Sequence, residues 1–383
     1  MRFRWRAELG LCAPGGVRSW GFALPAACGA VLREPSVRSW GSALLGAGAS
    51  RSDWCILRHM VRHPLHDVDR RSFLVAAAAA AAAATGAAGA AGLTAAEPHA
   101  PLREPLAHPG RAPRFMKAVK LGMVRDGDTT QEKFALLREL GFDGVEIDAP
   151  AGPDAKTVNA AAQATGLVVH GVVCSEHWSS PLSDPDEAVR RKGAAAMERA
   201  LEVAAEVGAT TVLLVPAVVR REVSYGDAYR RALEEVRRLA EFARCAGVWI
   251  AIENVWNGFL LSPLEAARFV DEAGADVVGW YFDVGNVVNF GWPQHWIAAL
   301  GPRTLKIDVK EYSRKRRDEE GLWKGFDVPL MQGDCDWPEV MRALRDTGYR
   351  GWMTAEIRGG GRERLAEIAA KMDAIAAMGR SDG

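Results

Sequence analysis

Thr304-Leu305-Lys306-Ile307-Asp308-Val309-Lys310 alternates apolar and charged side chains with a period of two. That period belongs to a strand, whose successive side chains leave opposite faces. In a closed sheet one set meets surrounding helices and the other points to the barrel axis. Leu305, Ile307 and Val309 are then expected against helices, and Lys306, Asp308 and Lys310 on the axis.

Outward from this run, short apolar strands alternate with amphipathic helical stretches, the βα rhythm of a parallel sheet. Strands are predicted at 119–124, 144–149, 167–173, 210–216, 248–254, 278–284, 304–310 and 352–357. Helices are predicted at 130–140, 155–164, 186–207, 225–245, 263–273, 293–300, 337–347 and 362–378. Ser262-Pro263 and Trp292-Pro293 mark helix starts, and Gly141, Gly166, Gly208, Gly247 and Gly348 mark ends. Eight such units in about 260 residues have the size of a (β/α)8 TIM barrel, an α/β fold. An open doubly wound sheet is the alternative, but no GxGxxG follows the first strand.

The same alternation places Glu253, Asp283 and Glu356 on the axis beside Asp308, at the strand ends where barrels keep their chemistry. Four carboxylates that close repel by several kcal/mol at intermediate dielectric, so a positive partner is required. An all-oxygen set suits Mn2+ or Mg2+, and Zn2+ less, since zinc favours imidazole or thiolate. The competing arrangement is a ring of ion pairs in which Lys306, Lys310 and Arg358 neutralise the acids without metal.

Gly141-Phe142-Asp143-Gly144-Val145-Glu146, Ala251-Ile252-Glu253-Asn254, Phe282-Asp283-Val284-Gly285-Asn286 and Thr354-Ala355-Glu356 occur in that order on the expected strands. With these landmarks the stretch from about 117 to 378 resembles the xylose isomerase-like barrel superfamily of sugar phosphate isomerases, ketose 3-epimerases and inosose dehydratases. The resemblance implies metal ligands Glu253, Asp283, Asp308 and Glu356, with Glu253 and Glu356 also the acid/base pair. It implies isomerisation or epimerisation beside a carbonyl, through an enediolate. Two positions depart from the family pattern: Asp308 stands where a histidine is usual, in Asp308-Val309-Lys310-Glu311, and Asn286 stands where a substrate-binding histidine is usual.

Further candidates for substrate contact are Glu146 and His170, axial on strands two and three, and His177 and Trp178 in the loop that follows. Asn286, Lys310, Arg314 and Arg358 complete the expected binding set, the arginines meeting hydroxyls or a carboxylate. The expected partner is a small sugar or keto-sugar, with homo-oligomerisation left open. Lys+Arg 48 balance Asp+Glu 48, which provides no basic field for nucleic acid. A dehydratase or lyase acting on a keto-sugar or cyclitol, and a non-catalytic carbohydrate-binding barrel, are the alternative functions. The six cysteines have no CxxC spacing, so no thiolate metal site is indicated.

Asp69-Arg70-Arg71-Ser72-Phe73-Leu74 directly precedes an alanine run from Ala76 to Ala84. Paired arginines before a weakly apolar run are the layout of a twin-arginine signal, which predicts handling by that export machinery and release to the periplasm or beyond. Residues 60–96 are therefore expected to be the signal, with Met60 as the true start and 1–59 a mis-annotated or disordered extension. The Pro-punctuated stretch 97–116 reads as a linker before the barrel at 117–378.

Overall fold

The structure, a computed structural model, describes residues 115–379. The extension, the export signal and nearly all of the linker lie outside the described residues. Eight parallel strands close in sequence order, with strand one beside strand eight. They are β1 (Met116–Lys120), β2 (Gly144–Ala149), β3 (Val168–Cys174), β4 (Thr211–Leu214), β5 (Trp249–Glu253), β6 (Val278–Asp283), β7 (Thr304–Val309) and β8 (Trp352–Ala355).

The helices are α1 (Thr130–Glu139), α2 (Ala155–Thr165), α3 (Glu187–Val207), α4 (Tyr225–Ala246), α5 (Pro263–Gly274), α6 (Val284–Val288), α7 (Pro293–Leu300), α8 (Arg314–Glu320), α9 (Trp337–Asp346) and α10 (Arg362–Met378). Their starts follow from side-chain oxygens that satisfy otherwise unpaired amide donors. Thr129 and Glu132 form a reciprocal capping box on α1, and Asp154, Asp186, Ser224 and Ser262 cap α2, α3, α4 and α5. Gly166, Gly208 and Gly247 end α2, α3 and α4 at φ of 68°, 74° and 68°, a region an L side chain seldom enters. The apolar faces of helices and strands merge into one core between sheet and helix ring.

Several expectations need correction. The first strand is Met116–Lys120, not 119–124; Leu121–Met123 is a 3-10 turn, and the barrel begins inside the expected linker. Helices α6 and α8 are not among the expected helices: Asp283 caps α6 directly at the end of β6, and Ser313 caps α8 after β7.

Strict alternation also fails twice. Thr304 and Lys306 pair with the adjacent Trp280 and Tyr281, leaving Leu305 as an extra residue. Such a bulge re-aims side chains, and Leu305 joins Leu213, Ala251 and Tyr281 in a cluster separate from the main core. On β3 the extra residue is His170, between the pairs Val145 with Val169 and Glu146 with Gly171.

Candidate active site

Glu253 ends β5, Asp283 ends β6, Asp308 lies near the end of β7, and Glu356 follows β8, its N–H still donating to Val309 at 3.2 Å. Each offers a carboxylate oxygen, and the four oxygens lie within 4.8 Å of one another. The grouping follows from register: Asp283 is paired with Asp308, and β5 and β8 bring their glutamates in from either side.

Two lysines stand among these acids. Lys310 Nζ is 2.7 Å from Asp283 Oδ2 and 2.6 Å from Glu356 Oε2. Lys120 Nζ is 3.1 Å from Asp308 Oδ2, 3.2 Å from Glu356 Oε1 and 3.4 Å from Glu146 Oε2. Lys310 was foreseen as a neutralising group. Lys120 was missed, because the first strand was set too late to end on it.

Asp283 is fixed by neighbours that leave one oxygen directed at the cluster. Its Oδ1 accepts the Asn286 N–H at 2.8 Å, and its own N–H donates to Asn254 Oδ1 at 3.0 Å. The Asn286 amide donates to the Asn254 carbonyl at 3.0 Å, and Lys310 reaches Asn286 Oδ1 at 3.5 Å. Asn286 therefore ties β5, α6 and the end of β7 together.

Charge in the cluster is not balanced. Glu146, Glu253, Asp283, Asp308 and Glu356 bring five carboxylates near the ammonium groups of Lys120, Lys310 and Lys306. Burial, with Glu356 close by, pushes Glu253 well above the usual carboxylate range. Burial does the same to Asp308 despite Lys120, and pushes Asp283 up to about 6 against Lys310. Glu356 goes the other way: burial works to raise it, but Lys120 and Lys310 outweigh burial and hold it far below the usual range. Both Asp308 oxygens, Asp283 Oδ2 and Glu356 Oε2 are buried without a well-directed hydrogen bond, although ammonium groups approach Asp308 Oδ2, Asp283 Oδ2 and Glu356 Oε2. A hard divalent cation fits this set of oxygens, and its charge would favour their ionised forms.

A cavity of 470 Å³ opens above the cluster, lined among others by Lys120, Glu253, Lys310 and Glu356. His177, Trp178, Asn286 and Arg358 also line it. The Val215 N–H donates to His177 Nδ1 at 3.3 Å, so the other ring nitrogen carries the proton. Burial lowers this imidazole to about 4 and keeps it neutral.

Three expected substrate contacts lie elsewhere. His170 is buried below the carboxylates, stacked on Trp352 at 4.4 Å, with Lys306 Nζ 2.8 Å from Nδ1 and Thr354 Oγ1 3.2 Å from Nε2. Glu146 is 1% exposed and faces Lys120, as well as the site of Gly171, where an added Cβ would come 2.6 Å from its Oε1. Alternation gave these two residues the correct side of the sheet but not their depth along the axis. Arg314 donates to the carbonyls of Val288 at 3.0 Å and Gly291 at 2.8 Å and lies over Trp292, so it caps α6.

Lys306 makes the buried layer testable. Burial, opposed by Glu146, drops its ammonium from 10.5 to about 7. Between those values the unfolded chain binds the proton that the folded chain lacks, so stability rises with pH by up to about 1.4 kcal/mol per unit. Urea unfolding from pH 7 to 10 should show that rise, and Lys306→Met should flatten it; identical slopes would contradict the assignment.

A family model described as a xylose isomerase-like TIM barrel matches residues 134–378. L-ribulose-5-phosphate 3-epimerase from Escherichia coli (strain K12) is 26% identical over 254 residues, covering 61% of this chain and 86% of that protein. Among solved structures, D-psicose 3-epimerase with D-tagatose from Clostridium cellulolyticum H10 superposes with a TM-score of 0.56 at 19% identity, covering 70% of this chain and 100% of that one. Apo 3-keto-D-glucoside 4-epimerase from E. coli gives 0.54 at 18% identity, covering 68% and 99%. At these identities the two structures attest the shared fold.

Proposed function

Because the chain belongs to the xylose isomerase-like TIM-barrel family, we propose that it is a sugar epimerase or isomerase that moves a proton at the carbon beside a carbonyl. The observation that carries this reading is the pairing of Glu253 and Glu356. They reach one cavity from non-adjacent strands, and their surroundings push their acidities in opposite directions. Carboxyl groups separated in this way divide into an acid and a base. Glu356, held ionised by Lys120 and Lys310, takes the proton; Glu253, held protonated, returns one from its own side. The relatives described above are epimerases, which supports the isomerase class and gives the lyase alternative no support.

Glu253, Asp283, Asp308 and Glu356 would hold a divalent ion, Mn2+ or Mg2+, which when bound supplies electrophilic stabilisation of charge developing at the carbonyl. Lys120 and Lys310 keep the base ionised and direct ammonium groups at the same place. His177 and Arg358 offer donors to hydroxyls from the rim. An unphosphorylated sugar suits this cavity, since both lysines are paired with carboxylates and the walls carry Trp178, Trp256, Trp323 and Phe326.

The lysine contacts also favour a second reading, a metal-free carbohydrate-binding barrel whose acids are neutralised internally. Metal analysis of the purified protein, followed by NMR of ketoses incubated in D2O, separates the two. Deuterium entering beside the carbonyl supports the enzyme, whereas sugar binding with neither metal nor exchange supports the binding barrel.

Twin-arginine export is part of the proposal and rests on Arg70-Arg71 before the alanine run. Exchange of both for lysine should leave the precursor inside the cell on fractionation, and undiminished export would refute that route.

A further inference from the structure

Above the carboxylates the cavity is walled by rings that have no part in proton transfer. Trp256 and Trp323 have centroids 4.8 Å apart, and Trp256 and Phe326 4.9 Å. Interplanar angles of 45°, 41° and, for Trp323 with Phe326, 33° make them one continuous aromatic shelf. Trp323 is 68% exposed, and Trp178, which also lines the cavity, is 51% exposed. Water gains nothing from open indole faces, and apolar patches of this kind at a groove mark ligand contact.

The segment that carries the shelf is fastened in place. Tyr312 OH donates to the Leu322 carbonyl at 2.8 Å, and the Ser313 N–H donates to the Gly325 carbonyl at 2.8 Å. Gly325 lies so close to the Tyr312 ring that an added Cβ would come to 2.4 Å. Lys310 Nζ sits 5.7 Å over the Phe326 ring, which connects the shelf to the carboxylate cluster. A surface held this firmly is organised before any ligand arrives, and that lowers the cost of binding.

We propose that Trp256, Trp323 and Phe326 form a subsite for a second ring, and that the substrate is a glycoside: a keto-sugar ring over Glu253 and Glu356, with its glycosidically linked partner on the shelf. This rests on the reading of the site as a sugar epimerase or isomerase. The cavity of 470 Å³ is in the range that takes drug-sized ligands, and one monosaccharide leaves part of it unfilled. A pyranose puts its C–H face on an indole and leaves its hydroxyls at the edge, where Asp327 and Arg358 line the rim.

Calorimetric titration with one-ring and two-ring probes tests the subsite. Methyl β-D-glucopyranoside is compared with cellobiose, maltose and p-nitrophenyl β-D-glucopyranoside. At least one two-ring probe should bind about tenfold more tightly than the methyl glucoside, a difference of about 1.4 kcal/mol. In Trp323→Ala the ratio should fall to about one, and in Trp323→Phe most of it should return. The exposed position of Trp323 lets both variants fold, which circular dichroism verifies. Equal affinities, binding of neither probe class, or a ratio untouched by Trp323→Ala would overturn the subsite. If the epimerase reading fails instead, the ratio persists while no deuterium enters beside a carbonyl.

Discussion

Glu253→Gln is expected to lower turnover about a thousandfold, within the range that a positioned general acid or base contributes. Gln keeps the shape and a hydrogen-bonding head but has no proton to give. Glu253 lies at the end of β5, buried at 7% exposure and lining the cavity, and Gln has nearly the same volume, so the exchange opens no void. Sugar affinity should change only a few-fold, because the variant removes an interaction made in the transition state. In D2O the wild type should form epimerised product carrying deuterium next to the carbonyl, and the variant about a thousandfold less of it, because Glu356 alone can only return a deuteron to the side it came from. Undiminished formation of the epimerised product in the variant would remove Glu253 from the chemistry.

The same pair fixes the expected pH profile. Glu356 must be ionised, and its carboxyl is held far below the usual range, so its own protonation does not limit activity in mild acid. Glu253 must be protonated, and its carboxyl is held well above the usual range, so activity falls as pH rises through that value. Loss of the alkaline limb in Glu253→Gln would identify its owner.

The barrel was legible because its signals are local. An alternating run such as Thr304 to Val309 states its own period, and Gly166, Gly208 and Gly247 state where helices stop. The four carboxylates were legible for the same reason, each at or next to the C-terminal end of a strand whose neighbouring side chains are apolar.

What was hidden depends on neighbours distant in sequence. Leu121-Gly122-Met123-Val124 is more apolar than Met116–Lys120, yet the latter pairs with both β2 and β8, and that pairing makes it the strand. Lys120 escaped notice with it. His170 and Glu146 show that alternation gives the face of a sheet but not the depth, which the bulge on β3 sets. The role of Arg314 depends on carbonyls that only the turn after α6 presents.

Lys120→Met is expected to tighten Mn2+ binding at least tenfold, read by calorimetry or by the EPR signal of free Mn2+. Lys120 places a positive charge against Asp308, Glu356 and Glu146, oxygens that an entering cation also needs. At an effective dielectric near 20 and about 5 Å separation, repulsion between an ammonium and a divalent ion is about 7 kcal/mol. Lys120 can relieve much of this by leaning toward Glu146, and the tenfold figure retains only about 1.4 kcal/mol of it. Without metal the variant should be less stable by about 3 kcal/mol, because the removed ammonium leaves buried carboxylates uncompensated. Added Mn2+ should restore the melting temperature by binding the folded state alone.

Asp308→His sharpens the test, since a histidine is what the family pattern places there. Alone it removes a negative charge while Lys120 stays, so it should not tighten Mn2+ binding. Combined with Lys120→Met it should bind more tightly than the sum of the single effects predicts, because the two side chains are in contact and act as one unit. Unchanged or weaker Mn2+ binding in Lys120→Met would mean that this lysine organises the carboxylates instead of competing for them. Asp308 would then be the counter-ion of Lys120, and the cation would be left to Glu253, Asp283 and Glu356.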